Sequence, residues 1–293
     1  MKQGKEVENP ESRFFAVLMA AAKLPGVRIH REAYLRSALA RHCSEEKIRR
    51  AIEETPAAAG ITVELLDKVA NESIRYETAK VSALSAAAGI PGILALPATV
   101  PADTAQYVGH MLRIAQKLAY LYSWPELFSD EGGDVDDATK GMLTLFFGVM
   151  FGTQSANAAV GKVAGMLAEQ VAKELPKKAL THGVVYPMVK KVAKYLGVRM
   201  TTQTFAKSVS KAIPVVGAVV SGGLTLATYL PMAKRLKKHL AGLPLADASH
   251  QASESEGDVV DGEVVEEHET FGPAGAELPD AATIAVKLEQ PGA

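Results

Sequence analysis

Three stretches without a single charged residue dominate this chain and limit what it can fold into: 81–102 (22 residues), 141–161 (21) and 212–233 (22). A bilayer core takes about 20 apolar residues in a helix, so length alone nominates each as a membrane span. Composition argues otherwise. The first, which includes GIPGILALPATVP, holds Gly89, Pro91, Gly92, Pro97 and Pro101. The second opens as GMLTLFFGVMFG and turns into TQSANAAVG. The third contains Pro214, Gly217, Gly222, Gly223 and Pro231. An interior proline costs a helix about 3 kcal/mol, and in hydrocarbon the freed carbonyl finds no water. The first and third runs therefore predict two shorter elements joined by a bend, packed in protein or dipping into a membrane surface.

The helical signals are local and frequent. Asn9-Pro10-Glu11 combines an N-cap, a proline at the first helical position and an early acid; that helix runs through FFAVLMAAAKL to Pro25-Gly26. HREAYLRSALARH makes a second helix, and Ser44 caps a third, EEKIRRAIEE. After an interruption at 56–60, Thr62 opens a long helix in which Leu66, Val69, Ile74 and Val81 recur at helical intervals. No run alternates β-branched and polar residues between turn signals. Hydrophobic residues reach 48 % but aromatics only 6 %, so Ala, Val and Leu supply the apolar content, as in a helix core. Gly148-x-x-x-Gly152 and Gly161-x-x-x-Gly165 have the spacing that lets helices approach closely. The expected fold is all-α: a small N-terminal helical region (1–60), a Gly/Ala-rich helical bundle (61–242) and a disordered acidic C-terminal tail (243–293).

Charge is divided unevenly. Residues 246–293 hold twelve acids against Lys287, a net of −11. Since the whole chain sums to −1, the first 245 residues carry +10. Between Lys162 and His239 there are fourteen Lys or Arg and two acids, Glu169 and Glu174. Lys190, Lys191, Lys194, Lys207 and Lys211 precede the third neutral run, and Lys234, Arg235, Lys237 and Lys238 follow it. Basic residues bordering apolar helices are what anionic headgroups attract. Nucleic acid is not the expected partner, because no binding motif accompanies these residues and aromatic platforms are scarce. Cys43 is the sole cysteine, which excludes an intrachain disulfide and fits a reducing compartment. MKQGKEVENPESR lacks the apolar core of a signal peptide.

A polar stripe follows the prolines. Asp103 reads as an N-cap with Gln106 completing a capping-box pattern. Asp103, Gln106, His110, Arg113 and Lys117 then recur at steps of three and four on one face, beside an apolar face of Tyr107, Met111, Ile114, Leu118 and Leu121. Such a helix lies at a domain surface, or its polar face lines a cleft where Arg113 holds an anionic headgroup or a partner carboxylate.

The stretch GIPGILALPATVPADTAQYVGHMLRIAQKLAYLYSW, an apolar Gly/Pro segment ending in Pro-Ala-Asp with an arginine ten residues after the aspartate, resembles the EcsC family. KAIPVVGAVVSGGLTLATYLPMAKRLKKH is similar to that family's C-terminal Pro-x-x-Gly and Gly-Gly helical segment. The resemblance spans roughly 62–240. Family members often carry Tyr-Gly after the arginine helix, whereas Tyr122 is followed here by Ser123-Trp124. The resemblance implies a mostly helical bacterial protein linked to an ABC-transporter operon. It brings no catalytic residues with it; Asp103 and Arg113 match the pattern as a structural or binding pair.

Motifs that carry chemistry are scarce in this sequence. The seven histidines form no zinc spacing, and no Walker A loop, dinucleotide fingerprint or G-x-S-x-G elbow occurs. SDEGGDVDDATK clusters acids around two glycines but lacks the order of a calcium loop; Asp136 or Asp137 is expected to cap the next helix. No catalytic, metal or cofactor residue is therefore assigned. The chain reads as a non-catalytic bacterial protein, cytoplasmic and peripheral to the inner membrane, accessory or regulatory to a membrane system. Its partner is an anionic membrane surface or membrane protein complex, and it can also pair with itself as a homo-oligomer. The alternatives are a bilayer-inserting, pore-forming helical protein and an uncharacterised hydrolase.

Overall fold

The computed structural model describes residues 9–88, 100–128, 134–169, 174–210 and 217–247, with 81–88, 100–104, 200–210 and 217–226 as backbone only. Every regular element among them is helical, and none is a strand. Of the expected disordered tail, 243–247 is instead ordered, with Leu245 and Ala246 buried against the bundle; the tail beyond 247, the Pro91 and Pro97 bend and Lys211 lie outside the described residues.

The N-terminal helices begin where their caps require. Asn9 accepts a hydrogen bond from Glu11 N ahead of α1 (Pro10–Ala22), and Ser44 accepts one from Lys47 N at α3 (Glu45–Glu53). Between them α2 (Arg31–Leu39) has no side-chain cap from His30; the Glu126 carboxylate accepts from Arg31 N instead, at 3.2 Å. The Arg31 guanidinium in turn donates to the carbonyls of Ala51, Ile52 and Glu54 at the end of α3, groups a helix otherwise leaves without partners. These helices are not set apart from the rest. Helix α1 packs on α5 and α9, α2 packs on α4 and α5, and the Phe14 ring meets Phe147 edge-on at 6.1 Å.

Helices α4 (Val63–Ala88) and α5 (Val100–Leu121) are neighbours, and α10 (Gly217–Ala241) packs against both. Helix α5 starts at Val100, three residues before the expected Asp103 cap. Pro101 suits a first turn, where its missing N–H would have no partner in any case. Helix α10 runs unbroken through Pro231, so the expected bend does not fall at that proline, and Pro214 lies outside the described residues. Pro231 and Ala227 both face solvent, so the Ala227 carbonyl that loses its helical bond is open to water.

The second neutral run does divide. Helix α6 (Asp137–Met150) begins at Asp136, which accepts from Thr139 N at 2.9 Å, and ends at Gly152 with φ +81°. It spans 14 residues, about 21 Å, against the ~30 Å of a bilayer core. From Ala138 to Met150 every residue except Lys140 is buried, because α5, α7, α8, α9 and α10 surround it. Helix α7 (Gln154–Glu169), the short α8 (Lys177–Thr181), α9 (Tyr186–Ser210) and a 3-10 turn at Pro244–Ala246 complete the fold. Gly148 is the close-approach point: a Cβ there would lie 2.5 Å from Ala156 Cβ and 2.6 Å from Val192 Cγ1. Gly152 ends the helix instead of packing one, and nothing lies within 4 Å of a Cβ built at Gly165. Of the two small-residue motifs, only Gly148 works as the spacing implies.

Candidate functional site

Along α4 the buried positions are Leu66, Val69, Ala70 and Ile74, followed by Glu77 and Thr78. An acid therefore occupies a place in an otherwise apolar stripe, and Glu77 is wholly inaccessible to solvent. A buried carboxylate is tolerated only with strong partners, and α5 provides them. Lys117 Nζ donates to Glu77 Oε1 at 2.7 Å, and Arg113 donates through Nε (3.2 Å) and Nη2 (3.1 Å). His110 Nδ1 stands 3.8 Å from Glu77 Oε2. That separation is too long for a hydrogen bond, and His110 Nδ1 has no such partner among the described residues. Burial alone would raise the Glu77 pKa, but His110, Arg113 and Lys117 outweigh it and hold the carboxyl well below the usual range.

The same face of α5 also fastens the 24–30 connection. Arg113 Nη1 donates to Gly26 O, where Gly26 turns the chain at φ +70°. Gln116 accepts from Ile29 N at 2.8 Å and donates to Val27 O at 2.9 Å. Lys117 lies over the rings of Tyr34 and Tyr76, 5.4 Å from each centroid. A second, partly buried link joins α4, the end of α5 and α10: Tyr122 donates to Asp67 Oδ1 at 2.5 Å, and Lys237 reaches Asp67 Oδ2 at 2.7 Å.

Chemically, Glu77 is held ionised with its lone pairs occupied, so it is a poor proton donor or base. The stripe is therefore an internal seam between α4 and α5. Of its members the structure brings His110, Arg113 and Lys117 together, while Gln106 is exposed. The position of Asp103 in the first turn of α5 is defined, but its side chain is outside the description. Glu77 and Asp67 escaped the sequence reading. The signal for Glu77 was available, as it falls where the Ile74-to-Val81 rhythm calls for an apolar residue.

The nine basic residues assigned to a membrane surface separate into groups. Lys190, Lys191, Lys194, Lys234 and Lys238 are exposed. Lys237 is not a surface cation but the Asp67 partner, its side chain 15 % exposed. Arg235 directs its guanidinium to Met150 O at 2.6 Å, satisfying a carbonyl at the end of α6. Lys207 lies in the backbone-only part of α9. Of the acidic loop, Asp136 caps α6, Asp137 pairs with Lys140 at 2.7 Å and Asp134 with Lys23 at 3.2 Å. Among the described residues no group of His, Cys, Asp or Glu could hold a metal ion.

No family model, characterised protein or solved structure matches the chain. The functional reading rests on its own residues.

Proposed function

We propose that this chain is an EcsC-like, non-catalytic protein that associates peripherally with the anionic cytoplasmic face of a bacterial inner membrane and assists a membrane system there. The observation that carries this reading is α9, which holds five Lys or Arg and no acid and exposes Lys190, Lys191 and Lys194. No helix among the described residues is long and apolar enough to cross a membrane, so association through a surface is the mode this charge favours. The principal buried ionisable groups, Glu77 with Arg113 and Lys117, serve α4–α5 packing, which supports a non-catalytic role.

One detail supports the family likeness. Ser123, which replaces the glycine common in that family, has φ +68°, a backbone region where glycine is the natural occupant. Ser123 accepts a hydrogen bond from Ala57 N at 3.1 Å, which offsets part of its strain. The departure thus falls at a position whose geometry the family residue would suit.

Fractionating cells into freely soluble, salt-extractable and detergent-requiring pools tests the reading. Recovery in the salt-extractable pool is expected. Complete recovery without salt, or only with detergent, overturns it.

A further inference from the structure

The peripheral reading leaves open which surface meets the lipid, and α9 offers a specific answer. At about 100° per residue, Lys190, Lys191, Lys194 and Val198 fall within one arc of about 100° on this helix, and all four are exposed. Neither Lys190 nor Lys194 has a carboxylate within ion-pair distance among the described residues; Lys190 lies over the Tyr186 ring instead, at 5.2 Å. A second observation coincides with the first. Only three large hydrophobic residues are exposed among those described, and two of them bracket these lysines: Val184 at 63 % and Val198 at 53 %. Val198 lies on α9 itself, and Val184 in the turn that leads into the helix.

We propose that this strip is the lipid contact, with α9 lying along an anionic leaflet. Lys190 and Lys194 meet headgroup phosphates while Val198 on the helix and Val184 in the turn before it enter the interfacial layer. Cations flanked by exposed apolar side chains suit a surface that is charged outside and apolar a few ångströms deeper. Lys234 and Lys238 share an exposed face of α10 with Ala227 and Pro231, but no large hydrophobic side chain is exposed beside them among the described residues. The inference rests on the peripheral reading and narrows it to one face.

The test is co-sedimentation of the full chain with phosphatidylcholine vesicles, with and without phosphatidylglycerol. The wild-type protein is expected to bind only the anionic vesicles, with salt releasing it. Combining Lys190→Gln and Lys194→Gln removes two contacts worth about fivefold each, so affinity should fall roughly 25-fold. Lys234→Gln with Lys238→Gln should change it much less, and Val198→Ser should weaken binding at low salt. All substituted positions are exposed, and circular dichroism verifies folding. If the wild-type binds and the α9 double variant binds equally well, the strip is wrong while peripheral association stands. An equal loss in the α10 double variant also overturns it. If the wild-type ignores anionic vesicles, or binds single-stranded RNA in their place, the peripheral reading itself fails.

Discussion

Lys117 Nζ lies 2.7 Å from Glu77 Oε1, in a place where no solvent reaches the carboxylate. Arg113 Nη2 approaches the same oxygen at 3.1 Å, so one acid on α4 serves two cations on α5. Removing it leaves two largely buried positive charges facing each other. Glu77→Ala should destabilise the fold by about 3–5 kcal/mol, read by urea denaturation. A cost below about 1 kcal/mol would show that water already screens the group.

Acid should expose the same dependence. The folded-state pKa of Glu77 lies below its unfolded value of about 4.3, because Arg113, Lys117 and His110 overcome the effect of burial. Between the two values the unfolded chain binds the extra proton, so stability rises with pH there. The contribution is complete above the unfolded value and drains away as pH falls toward the folded one. Denaturation midpoints measured downward from pH 6 should fall more steeply for the wild-type protein than for Glu77→Gln.

Two glycines at equivalent-looking places should behave oppositely. Gly148→Ala forces a methyl against Ala156 and Val192 and should cost about 1–3 kcal/mol. Gly165→Ala meets nothing within 4 Å and should be neutral or stabilise by up to about 1 kcal/mol through helix propensity. Thermal melts of the pair decide whether Gly148 alone sets the α6–α7–α9 spacing.

Ser123 combines a left-handed backbone with a buried acceptor for Ala57 N. Ser123→Gly loses the bond but relieves the backbone, whereas Ser123→Ala loses the bond and keeps the strain. The alanine variant should be less stable than the glycine variant by about 1 kcal/mol, measured by denaturant titration.

Adjacent lysines on α10 should differ. Lys237→Met breaks the link to Asp67 and Tyr122, with an expected cost of about 1 kcal/mol given the partial exposure of Asp67. Lys238→Met, on an exposed residue, should leave the melting temperature unchanged.

What the sequence made legible were the features decided within a few residues. Asn9, Ser44, Thr62 and Asp136 announce their helices because a cap acts on the next two or three N–H groups. Proline was harder to read. Pro231 is tolerated because Ala227 happens to face water, and that orientation depends on how α10 packs. The Gly148-x-x-x-Gly152 spacing marks Gly152 as a packing glycine, because spacing alone cannot distinguish a helix face from a helix end. His110, Arg113 and Lys117 stood out as one face, but their partner Glu77 lies on another helix, 36 residues before Arg113. Nothing local states that those two faces meet. Lys237 likewise resembled its surface neighbours until the fold placed Asp67 beside it.

The rungs on α5 that engage Glu77 are spaced three and four residues apart, so sliding α4 by one turn would not empty the carboxylate of cations; it would exchange them. In the present alignment Arg113 bridges the two sides, holding Glu77 of α4 and Gly26 of the 24–30 connection at once, while Gln116 holds the backbone at Val27 and Ile29. The seam thus works like a vernier, in which coarse attraction brings the two helices together and a separate set of marks chooses the notch. Changes of length between Ala88 and Val100 should then be absorbed without moving that notch.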